Sequence, residues 1–279
     1  MEHAIKVEPG STLNLSAIDT RAPERVKRDE AEARFTDLAA ELGELEDLLY
    51  AAQRHAVLIV LQGLDTSGKD GTIRKVFREV DPIGCRAVSF KVPTAEELAH
   101  DFLWRVHKQT PAKGEMVIFN RSHYEDVLVA RVHELVPETV WRTRYDHINA
   151  FERLLAENGT VILKFYLHIS KEEQEARLLE RERDVEKAWK LSASDWIERR
   201  SWDAYRAAYE DALMRCSTSW APWYIVPADQ KWFRNLAVAE VIVSRLRPLR
   251  DGWLNELEAR GRAELQAIQD ARQRGRRER

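Results

Sequence analysis

Ala56-Val57-Leu58-Ile59-Val60-Leu61-Gln62-Gly63-Leu64-Asp65-Thr66-Ser67-Gly68-Lys69-Asp70-Gly71-Thr72 reads as a buried strand running into a phosphate-binding loop. The apolar, β-branched run at 56–61 suits a strand covered on both faces. Gly63, Gly68 and Gly71 let the backbone turn tightly and point N–H groups inward, and the start of the next helix completes an anion cradle. Thr66, Ser67, Thr72 and Arg74 belong with these phosphate-binding candidates. Lys69 stands where a phosphate-loop lysine reaches the bridging and terminal phosphates, so Gly63-x4-Gly68-Lys69 fits all but the last position of the motif. At that position Asp70 replaces the usual Ser or Thr.

A second carboxylate, Asp65, sits inside the loop. Beside phosphate oxygens it is repelled unless a cation lies between them, so Asp65 is the expected metal ligand. Asp70 stays open, because the helix dipole alone favours a carboxylate in a first turn. The competing reading of the stretch is a glycine-rich turn with no phosphate to hold.

The 279 residues are 44% apolar with nine tryptophans, enough for the core of one α/β domain with an inserted lid. A net charge of −3 gives no overall pull towards nucleic acid or membrane, and neither is expected as a partner. Cys85 and Cys216 have no metal or redox spacing and read as reduced thiols. With no signal-peptide core and no apolar run of about 20 residues, the expectation is a soluble, cytoplasmic protein.

Residues 1–28 mix prolines, glycine and charges without period and read as an arm over the surface or partly disordered. At 30–53, Phe35, Leu38, Leu42, Leu45 and Leu49 form the stripe of an amphipathic helix. Packing on the body or a subunit contact explains it, and a homo-oligomer is expected. Further strands are read at 85–91, 116–119, 160–169 and 220–227, alternating with helices, which is the pattern of a parallel sheet covered on both sides. The main domain spans 29–247, and a basic helix or tail fills 248–279.

The third strand ends in Asn120-Arg121-Ser122-His123-Tyr124-Glu125-Asp126. Such a strand end faces metal and reacting phosphate in phosphate-loop enzymes, usually with an acidic residue. Here it is Asn120, which with Glu125 is a candidate beside the acceptor and the metal. Arg121 is placed to steady the transferring group through bidentate contacts. Its other reading is an ion pair with Glu125 or Asp126. Within 177–200, basic residues including Arg177, Arg181, Lys187, Lys190 and Arg199 form either a lid that closes over anionic substrates or a solvated charged face. Trp202, Tyr205 and Tyr209 have the spacing of a helix docked on the body.

The loop at 63–72, the strand end Asn120-Arg121-Ser122-His123-Tyr124, and the segments Trp202-Asp203-Ala204-Tyr205 and Ala221-Pro222-Trp223 together resemble family 2 of the polyphosphate kinases over residues 40–247. The resemblance implies a P-loop kinase-like α/β fold, a parallel five-stranded sheet sandwiched by helices with a helical lid. It also implies magnesium, and reversible phosphoryl exchange between inorganic polyphosphate and adenine or guanine nucleotides. By matching position it implies catalytic roles for Asp65, Lys69 and Arg121, and phosphate contacts for Arg177 and Arg181. Asn120 departs from the Asp of many members and looks like the class III form, which accepts both AMP and ADP. Rival readings are an ATP-dependent nucleoside or nucleotide monophosphate kinase and a non-catalytic polyanion-binding module.

Overall fold

Strand β2 (Ala56–Gln62) is buried along its whole length. Val57, Ile59 and Leu61 point into one apolar cluster and Leu58 and Val60 into another. That alternation follows from the period of two along a strand, and it places β2 at the centre of a three-layer molecule. The computed structural model describes residues 3–184 and 193–277.

The sheet has six strands in the order β1-β6-β5-β2-β4-β3. They are β1 (Ile5–Lys6), β2, β3 (Cys85–Ser89), β4 (Met116–Asn120), β5 (Thr160–His168) and β6 (Trp223–Pro227). Strands β2 to β6 run parallel, with Leu61 opposite Asn120 of β4 and Phe165 of β5. The expected five-stranded parallel sheet is therefore corrected to a mixed sheet of six. The added strand comes from the arm: Ile5 and Lys6 pair antiparallel with Ile225 and Tyr224. A two-residue strand carries no periodic signal, and the exposed edge of β6 supplies the pairing.

One face of the sheet is covered by α1 (Arg28–Ala52), α2 (Lys69–Val76), α10 (Lys231–Leu246) and the start of α11 (Arg250–Arg277). Leu38, Leu42, Leu45 and Leu49 of α1 are buried in this layer. These four positions of the stripe are thus filled by packing within the chain. The other face carries α6 (Glu138–Glu157) and α9 (Trp202–Cys216), with Tyr205 and Tyr209 in its core. Short helices α3 (Ala95–Leu98), α4 (Trp104–His107) and α5 (Val129–Val132) connect these layers. After β5 come α7 (Lys171–Arg183) and α8 (Ala193–Glu198). Lys187 and Lys190 of the expected lid lie outside the described residues. Among the described residues no helix is long and apolar enough to cross a membrane.

The strand order fixes where a site can form. From β2 the chain crosses to one side of the sheet and later returns to the other, so the loops after β2, β4 and β5 meet at the same carboxyl edge.

Candidate active site

At that edge a cavity of about 790 Å³ is lined by Asp65, Thr66, Gly68, Lys69, Asp70, Gly71 and Arg74 from the β2–α2 segment, Asn120 and Arg121 from the end of β4, and Arg177 and Arg181 from α7. Most of the residues singled out in the sequence therefore share one space. Gly63 and Glu125 border a small recess, with Tyr205 and Tyr209, that shares Asp65 and Arg121 with the cavity. Ser67 and Thr72 are fully buried, and the Thr72 hydroxyl donates to the Gly68 carbonyl at 3.1 Å.

The backbone of the loop is unusual where the chemistry is. Gly68 sits at φ +102° as the cap of α2, and the non-glycine residues Thr66 and Arg121 hold φ +64° and +60°. Left-handed backbone at such residues costs on the order of 1–3 kcal/mol and persists where surrounding bonds enforce it. For Arg121 the enforcing bond is its N–H to the Leu61 carbonyl, 3.1 Å, which ties the end of β4 to β2.

Lys69 is 8% exposed, and its Nζ donates to the carbonyls of Gly63 (2.6 Å) and Leu64 (3.2 Å). Burial and the nearby Arg121 guanidinium lower its pKa to about 8, against the pull of Asp65, Glu125 and Asp70. Arg121 donates from one terminal nitrogen to Asp65 Oδ1 at 2.5 Å and from the other to Glu125 Oε2 at 3.1 Å. Burial opposes its charge but is outweighed by Glu125 and Asp65, so the guanidinium titrates above its ordinary value. The ion pair with Glu125 weighed from the sequence is present, and Asp65 is added to it. Gln62 holds the other Glu125 oxygen through Nε2 at 3.0 Å. Asn120 Nδ2 donates to Asp70 Oδ1 at 2.7 Å, joining the strand end to α2.

Arg177 has a different occupation from a mobile lid cation. It is 6% exposed, and its terminal nitrogens donate to the carbonyls of Thr66, Ser67, Ala228 and Asp229 at 2.7–3.2 Å, while Nε meets Glu173 at 2.7 Å. It clamps the loop after β2 to the end of β6. Arg181 is half-buried in the cavity wall and pairs with Asp195 of α8 at 3.0 Å. Burial and Asp65 raise the Asp195 pKa, against Arg181.

Several contributors escaped the sequence reading. Asp195 and Lys231 line the cavity, and Gln174 Nε2 donates to the Asp65 carbonyl at 3.2 Å. Below the strand end lies a fully buried polar group: Lys164 Nζ donates to Glu152 Oε2 (2.5 Å), the Tyr124 hydroxyl (2.8 Å) and the Cys216 carbonyl (2.6 Å). His123 donates to Glu152 Oε1 at 3.2 Å. Burial would raise the Glu152 pKa, yet Lys164 and His123 hold it below the usual carboxylate value. The one signal for this group was Lys164 in the middle of an apolar strand.

The chain resembles known proteins along most of its length. Residues 25–250 match the family model described as Polyphosphate kinase 2 (PPK2). It is 53% identical over 247 residues to a protein of Meiothermus ruber named AMP/ADP-polyphosphate phosphotransferase, covering 88% of this chain and 92% of the relative. A protein of Rhodopseudomonas palustris named ADP-polyphosphate phosphotransferase is 45% identical over 240 residues, covering 82% and 83%. Among solved structures, polyphosphate kinase 2 from Arthrobacter aurescens superposes with a TM-score of 0.84 at 40% identity, covering 88% of each chain. With the match spanning both the loop after β2 and the strand end at Arg121, this chain belongs to the polyphosphate kinase 2 family.

Proposed function

We propose that this protein transfers phosphoryl groups reversibly between inorganic polyphosphate and adenine or guanine nucleotides, taking AMP to ADP and ADP to ATP. The observation that carries the reading is the convergence of Lys69, Arg121, Arg74 and Arg181 on one cavity whose floor is a glycine-rich loop at the start of α2. Such an arrangement suits a P-loop that gathers two polyanions. The acceptor is a phosphate already ionised near neutral pH, since its second pKa is about 6, so no general base is required. The chain's residues therefore bind, orient and neutralise. Lys69 and the loop amides hold the phosphates, and Arg121, its charge secured by Asp65 and Glu125, stabilises the transferring group.

The donor set fits magnesium. Asp65 and Asp70 offer hard oxygen ligands at the cavity, and magnesium takes one or two carboxylates together with substrate phosphates and water. When bound, the ion supplies charge neutralisation between the donor and acceptor phosphates. The use of both AMP and ADP is supported by the name of the Meiothermus ruber relative and by the neutral Asn120, which repels an incoming phosphate less than a carboxylate would.

The test is phosphorus NMR of purified protein with magnesium, polyphosphate and AMP. The expected result is ADP followed by ATP as polyphosphate is consumed. Turnover of AMP with ATP but never with polyphosphate would make it a nucleotide monophosphate kinase, and binding without turnover would make it a polyanion-binding module.

A further inference from the structure

Arg234 is a buried charge that the site as described does not use. It lies in the first turn of α10, 3% exposed. Its Nε and Nη2 donate to the Asn235 amide oxygen at 3.2 and 2.8 Å, a neutral acceptor. Among the described residues no carboxylate forms an ion pair with it. Burial and a second buried guanidinium, Arg177, lower its pKa to about 9, so the group still carries its charge at neutral pH.

Its position gives that charge a purpose. A methyl group added at Gly68 would fall 1.9 Å from Arg234 Nη1, and one added at Gly71 would fall 3.4 Å from Nη2. The guanidinium therefore lies along the start of α2, in space that two glycines leave open. Gly68 and Gly71 also line the cavity, so Arg234 lies behind two residues that border whatever fills it. Apart from the bonds to Asn235, the surroundings are unfavourable to a cation here. Water is excluded, Arg177 repels it, and the positive end of the α2 dipole faces it. An anion held in the loop reverses the balance, because the same field that destabilises the vacant site attracts the occupant.

We propose that Arg234 is a positioning residue that holds a positive charge behind Gly68 and Gly71 for the phosphate chain, strengthening its binding at the expense of the stability of the anion-free protein. This rests on the reading that polyphosphate binds in that cavity. It separates from a purely structural role, in which Arg234 would support α10 and its loss would lower stability without touching anion affinity.

The test uses the full chain with R234Q, R234M and R234K, measuring melting temperature and the affinity for tripolyphosphate by calorimetry, without nucleotide. Without anion, R234Q and R234M are expected to melt at or above the wild type. Their tripolyphosphate affinity is expected to fall roughly ten- to thirtyfold, the scale of one charge acting across about ten ångströms at an effective dielectric near 20. R234K, which keeps the charge, should recover most of the loss. The two neutral variants report the same quantity, so failure of one to fold leaves the other to decide. Equal affinity in the wild type and the neutral variants, or in R234K and R234Q, overturns the inference alone. A wild-type chain that binds no tripolyphosphate overturns the proposed function and the inference with it.

Discussion

Lys69 and Arg121 lie in one cavity but divide its acids unequally. Arg121 holds Asp65 and Glu125 directly, whereas Lys69 is bonded to carbonyls and has its pKa lowered to about 8. The protonated amine is the form that binds phosphate, so its loss as pH rises removes binding from the free enzyme. We expect kcat/KM for polyphosphate to fall above about pH 8, while kcat, measured with phosphates already beside the amine, stays level further into alkali. K69R should move that fall to beyond about pH 10, since guanidinium keeps its proton there. An unchanged profile in K69R would assign the alkaline limb to another group. Asp65→Asn removes both the proposed metal ligand and the partner of Arg121 while keeping the shape. Turnover should drop by on the order of 10² to 10³. The melting temperature should stay within a few degrees of the wild type, and near-normal turnover would remove Asp65 from the mechanism.

At the scale of elements, α7 separates two arginines that look equivalent in sequence. Arg181 faces the cavity, and R181Q should raise KM for long polyphosphate and flatten its dependence on salt, because a screened charge is lost. Arg177 is spent on carbonyls from two loops, and R177Q should instead lower stability in urea unfolding, each orphaned acceptor costing roughly 1–3 kcal/mol. The reverse assignment of the two phenotypes would contradict this geometry. Beneath the strand end, K164M leaves Glu152 buried without its ion pair, and a loss of about 3–5 kcal/mol is expected in the same assay. These differences mark the limit of what could be read from the chain. The strands β2, β4 and β5 were legible because each is a mainly apolar run, broken in β5 only by Lys164 between its polar ends, and the convergence of Asp65, Lys69 and Arg121 because loop and strand end each carried a motif. The fate of Arg177 was not legible, since apart from Glu173 its acceptors are backbone carbonyls at 66, 67, 228 and 229, and carbonyls have no residue type. Arg234 was hidden for a related reason: its place is defined by the side chains that Gly68 and Gly71 lack.

Across the whole molecule, the arm acts as part of the fold. Ile5 and Lys6 extend the sheet beyond β6, Val7 and Leu15 are buried, and His168 donates to the Leu15 carbonyl at 3.1 Å. His3 meets the buried Glu240 of α10 at 2.7 Å, and Arg34 of α1 meets the same carboxylate at 2.9 Å. Removing residues 1–27 should bare the edge of β6, lower the melting temperature by several degrees and increase light scattering on warming. A truncated chain that melts and scatters like the full one would show the arm to be dispensable. The pairing of first and late strands also orders events in time. His3 and Glu240 are 237 positions apart, and at roughly 5–20 residues per second a ribosome takes some tens of seconds to make that span. Through most of it Ile5 and Lys6 are waiting for a strand not yet translated. The arm is thus among the last parts of the sheet to find its place, and the sheet closes only after β6 has left the exit tunnel.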